Sequence, residues 1–124
     1  MNRKIVRFSI GAALVCGLVS AQASVDEDFM RYVEDVYKSA DNNVAMKDAA
    51  AATKDAKELV ELFGEIEAHY VKEADEEDGL KLSRQSVELS STLLKVLLAN
   101  DFDSASSVSR DIARTCKSCH NIYK

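Results

Sequence analysis

From Asp26 onward, apolar residues recur every three or four positions, a spacing that predicts four amphipathic helices. The first runs from about Asp26 to Ala40, with Phe29, Val33, Val36, Tyr37 and Ala40 on one face. Asp26, Glu27 and Asp28 suit the positive end of its dipole. The Asp41-Asn42-Asn43 cluster is expected to break it. The second helix, about Val44 to Tyr70, repeats Ala45, Ala49, Ala52, Ala56, Leu59, Phe63, Ile66 and Tyr70 in near-heptad order. Its alanines permit a close neighbour, although Ala is also the best helix former. Gly64 inside this period is either a close helix crossing or a tolerated weak spot.

Glu73, Asp75, Glu76, Glu77 and Asp78 then form an acidic connection ending at Gly79. It reads as a solvated loop that charges the start of the next helix, with a docking patch for a basic partner as the alternative. Its spacing does not match a calcium loop. The third helix, about Leu80 to Ala99, carries Leu82, Leu89, Leu93 and Val96 on one stripe, widened by Val87, Leu94, Leu97 and Leu98. Asn100-Asp101 ends it, and Asp101 suits the cap of a fourth helix. That helix shows Ala105, Val108, Ile112, Cys116, Cys119 and Tyr123 at helical spacing. Short loops between long amphipathic helices force each to run against the last. The expected fold is an all-α, antiparallel up-down-up-down four-helix bundle, a single domain over residues 24–124.

Composition sharpens this. The chain has 124 residues, no proline and four glycines, two of which lie before residue 20. That is too little turn chemistry for a β-sandwich or barrel, and too little glycine for a phosphate-cradling loop. Residues 1–23 read as a secretory signal peptide: Arg3, Lys4 and Arg7, then the apolar run Ile10 to Val19, then Ala21-Gln22-Ala23 before the cut. The apolar run is too short to span a bilayer. Cys16 is not a lipid-attachment site, because Val15 stands where a small residue is needed. The mature chain is therefore expected in the periplasm without stable membrane association. Losing three basic residues takes the formal charge from −5 to −8. An acidic, exported chain is a poor binder of nucleic acid and suits a partner with a basic surface.

Cleavage leaves two cysteines, Cys116 and Cys119, and they stand in Cys116-Lys117-Ser118-Cys119-His120. C-x-x-C-H is the attachment signature of a c-type haem. Two thiols one helical turn apart can form thioethers to the two vinyl groups, and the adjacent His reaches the iron as axial ligand. A redox C-x-x-C normally opens a helix after a strand, whereas this one closes the last helix of an all-α chain. A zinc site needs a fourth ligand, and His69 is the one other histidine.

The motif at the end of a helical bundle, followed by Asn121-Ile122-Tyr123-Lys124, resembles the class II cytochromes c, the cytochrome c′ family. The likeness covers residues 24–124, with Tyr123 and Lys124 matching the family's aromatic and basic positions after the His. Glu27-Asp28-Phe29-Met30, Lys38-Ser39-Ala40-Asp41-Asn42 and Met46-Lys47-Asp48-Ala49 are similar to the soluble b-type cytochrome of the same fold. That resemblance implies an axial methionine at Met30.

Topology agrees. In the expected bundle Met30, early in helix one, shares an end with His120, whereas Met46 lies about 30 Å away. Met30 as a gap-filling core residue, and His69 at the end of helix two, are the competing assignments. His/Met ligation leaves no place for substrate, so the expected function is one-electron transfer by a monohaem carrier. If Met30 does not bind, the alternative is a five-coordinate binder of nitric oxide or carbon monoxide. No Ser/His/acid set or paired buried acids can be singled out, so no enzyme activity is expected. A monomer is expected over a homodimer, and Lys124 is a candidate partner for a haem propionate.

Overall fold

The computed structural model describes residues 24–73 and 75–123. The expected signal segment, residues 1–23, and Lys124 lie outside the described residues. Among those described there are four helices and no strand: α1 (Glu27–Ala45), α2 (Ala49–Val71), α3 (Glu77–Leu98) and α4 (Phe102–Tyr123). None is long and apolar enough to cross a membrane.

The termini follow from local chemistry. The Asp26 carboxylate accepts the Phe29 N–H at 2.8 Å and opens α1. That bond holds the Asp26 carboxyl below the usual carboxylate range. Contrary to expectation, Asp41, Asn42 and Asn43 do not break the helix. Their side chains are engaged away from their own backbone: Asp41 accepts from Ser109 at 2.6 Å, and Asn43 donates to Asp55 at 2.8 Å. The chain turns instead at Lys47, which takes a positive φ of 58°. Asp48 then caps α2 by accepting from the Ala51 N–H at 3.1 Å. Asp101 caps α4 as its sequence implies, accepting the Ser104 N–H at 3.0 Å and its hydroxyl at 2.6 Å.

Helix α3 begins at Glu77, so Gly79 sits in its first turn and not at the end of the acidic connection. Glu77 and Asp78 face the positive end of the dipole there, which explains the earlier start.

Each helix packs on its neighbours in sequence, and α1 also packs on α4, which closes a ring of four. Leu59, Leu93, Leu97 and Ile112 are wholly buried at its centre. The buried face of α3 differs from the expected leucine stripe. It runs through Gly79, Ser83, Ser86, Ser90, Leu93 and Leu97, while Leu82, Leu89 and Val96 are half-buried. Leu98 is exposed at 66%. The serine hydroxyls donate back to their own helix, to the carbonyls of Leu80, Leu82 and Ser86 at 2.9–3.0 Å. Satisfied in this way, they behave as small residues that let α3 sit close to its neighbours. Gly64 makes no close crossing, since a Cβ there would meet nothing within 4 Å.

Candidate functional site

The last two turns of α4 carry Cys116, Cys119 and His120, and all three line one cavity of about 470 Å³. The other walls come from the start of α1 (Met30, Val33), the end of α2 (Phe63, Ile66, Tyr70) and the start of α3 (Leu82, Ser83). Met30 is half-buried on this wall, although it is far from the motif in sequence. Met46 is not on it. That residue is 67% exposed beyond the C-terminus of α1, and its sulfur accepts from the Asn42 amide at 3.3 Å. His69 is half-buried and does not line the cavity; its ring meets Tyr70 edge-on at 5.1 Å.

Both thiols are free and half-exposed by surface. Burial pushes the Cys116 thiol up to about 11, and the neighbouring Cys119 adds to the rise. Burial also raises Cys119, while a hydrogen bond from the Tyr70 hydroxyl works in the opposite direction. Tyr70 itself is raised, chiefly by burial. Both sulfurs are therefore neutral thiols at pH 7. A redox-active C-x-x-C needs the reverse, a thiol lowered towards thiolate. Among the described residues, no group of three or more His, Cys, Asp and Glu gathers to hold a metal ion.

Tyr37 also faces the cavity, and its hydroxyl donates to the Ser109 carbonyl at 3.2 Å. Burial raises its phenol above the ordinary value. At the rim Glu34 pairs with Lys38 at 2.7 Å, with Lys117 and Asn121 beside them.

Sequence reasoning did not find Tyr70 as part of the site, nor Gly79 as the residue that makes room for it. A Cβ on residue 79 would lie 2.4 Å from the Tyr70 ring, so glycine is what admits that ring over α3. The signal was present, as a glycine two residues into a helix start, but its meaning required the partner. The lining suits a planar, largely apolar group with polar edges. Val33, Phe63, Ile66 and Leu82 offer apolar walls, and two thiols and an imidazole stand on one side. A volume of about 470 Å³ falls in the range of small-molecule and cofactor sites. Haem fits these residues. In comparisons with known proteins, the chain matches no family model, no curated protein and no solved structure.

Proposed function

We propose that residues 24–124 form a periplasmic monohaem c-type cytochrome of the class II type, an up-down-up-down bundle that carries single electrons. One observation carries this reading: both thiols of the C-x-x-C-H sequence, its His, and Met30 line the same cavity. Its walls draw on the starts of α1 and α3 and the ends of α2 and α4, which supports alternating helix directions.

Bound there, the haem supplies an iron that takes up and releases one electron. Cys116 and Cys119 would hold it by thioethers, and His120 would ligate the iron from the same helix. Met30 would also ligate the iron, from α1, and a thioether there would raise the reduction potential. Val33, Phe63, Ile66 and Leu82 would give the bound group apolar walls, which acts in the same direction. With His120 and Met30 both committed to the iron, no place would remain for substrate, and the chemistry would be electron transfer and not catalysis. The formal charge of −5, becoming −8 without residues 1–23, suits a redox partner with a basic surface.

The test is the optical spectrum of wild type, Met30→Ala and Met46→Ala, each with and without carbon monoxide. Wild type is expected low-spin and closed to the gas. Met30→Ala becomes high-spin, binds carbon monoxide and loses potential, while Met46→Ala matches wild type. A wild type that is already high-spin and binds the gas replaces this reading with a five-coordinate gas binder. A low-spin Met30→Ala moves the assignment to His69.

A further inference from the structure

Helix α3 opens without help from its own chain: the N-cap residue Glu76 makes no side-chain bond to the first turn. The first N–H groups of a helix have no intrahelical partner, and α3 fills one of these vacancies from a distance. The Gly79 N–H donates to the Tyr123 hydroxyl at 2.8 Å, across from the last turn of α4. Residue 79 has no Cβ, and Tyr70 takes advantage of that. The Tyr70 ring fills that space, and the Tyr123 ring lies against it with centroids 5.3 Å apart. Tyr70 in turn shares the cavity wall with Cys119. The last turn of a helix otherwise frays, because its carbonyls lack partners. Here Tyr123 follows Cys119 by four residues and His120 by three, a spacing that puts all three on adjoining positions of one face.

We propose that the Tyr123 hydroxyl is a positioning group for the attachment sequence: by capping α3 it fixes the last turn of α4, and with it the directions in which Cys119 and His120 meet the cavity. The inference rests on the role assigned to those two residues above. It predicts that removing one oxygen at the far end of α4 alters the iron environment without touching a ligand.

The experiment uses the full chain made in cells that attach haem, as Tyr123→Phe alone and combined with Glu76→Ser. The serine offers α3 a local acceptor that leaves α4 untied. Tyr123→Phe is expected to speed amide exchange at Gly79 by about two- to tenfold. It is also expected to shift the optical and paramagnetic spectra of the iron. The double variant returns Gly79 exchange towards wild type but keeps the shifted spectra. Unchanged exchange or unchanged spectra in Tyr123→Phe overturn the proposal, as do spectra that recover in the double variant. A wild type without attached haem refutes the cytochrome reading instead. Positioning is then read from the alkylation rate of Cys119, which rises in Tyr123→Phe if the proposal holds and stays level if it fails.

Discussion

Two glycines in this chain respond oppositely to the same added methyl group. At Gly79, an alanine Cβ would sit 2.4, 2.5 and 2.8 Å from three carbons of the Tyr70 ring, well inside contact distance. The ring cannot swing aside cheaply, because it is buried and packs against His69 and Tyr123. Overpacking of this kind costs about 1–3 kcal/mol, while alanine's helix propensity returns about 1 kcal/mol. The net expectation for Gly79→Ala is a loss of up to about 2 kcal/mol. At Gly64, in the interior of α2, the same Cβ meets nothing within 4 Å. Only propensity acts there, so Gly64→Ala gains about 0.5–1 kcal/mol. For a domain of this size each kcal/mol moves the melting temperature by roughly 4–8 °C. Thermal unfolding followed by circular dichroism separates the two directions. Because the ring that must move lines the same cavity as Cys119 and His120, Gly79→Ala should also perturb the visible spectrum, and Gly64→Ala should not. A Gly79→Ala protein stabilised to the same degree as Gly64→Ala would refute the close approach of Tyr70 to α3.

Intact mass of the exported protein should equal residues 24–124 plus one haem, and the double change Cys116→Ser/Cys119→Ser should leave haem extractable by acidified solvent; covalent haem in that variant would refute the assignment of both thiols. In chain isolated before haem attachment, the Cys116 thiol is raised to about 11 from its ordinary 9.0, so the folded state holds that proton more tightly than the unfolded one. The sign follows: its contribution is fully present below pH 9 and is lost as pH rises through 11. Melts between pH 8 and 11 should therefore fall less steeply for Cys116→Ala than for wild type. Tyr37→Phe removes the bond to the Ser109 carbonyl and should cost about 0.5–1.5 kcal/mol in urea unfolding.

The helices were legible because their signal is periodic burial, and burial is what the bundle needs. Val33, Val36, Ala40, Leu59, Phe63, Ile66 and Ile112 lie where a 3.6-residue period puts them. Two errors share one cause. Ser83, Ser86 and Ser90 were passed over for leucines, and Asp41 to Asn43 were read as a break, because polarity was scored residue by residue. A serine whose hydroxyl returns to its own helix is, for packing, a small side chain. An aspartate that accepts from Ser109 does not compete for its own backbone. The C-x-x-C-H sequence stands out for a different reason: its pattern is local, three residues within one turn and a half. The Tyr123 bond to Gly79 was illegible because it joins two helix ends that no spacing rule connects.

Met30 and Met46 bracket α1, and their different surroundings arise from how α1 meets α4. Midway along the seam, two bonds tie the helices: Tyr37 to the Ser109 carbonyl, and the Ser109 hydroxyl to Asp41. Ser109 is wholly buried under this tie. Past it, towards Cys116, the seam opens into the cavity, and Met30 is on the wall. On the other side lies Met46, with most of its surface in solvent. A bundle can widen at one end only if something holds the middle, because otherwise the whole helix would swing and the packed layer of Leu59, Leu93 and Ile112 would open. Tyr37 serves both ends of that requirement, since its ring lines the cavity while its hydroxyl closes the seam. These two bonds join α1 to α4 beside the cavity that Met30 and His120 both line. Tyr32, whose hydroxyl bonds Glu58 on the outer α1–α2 face, has no such leverage.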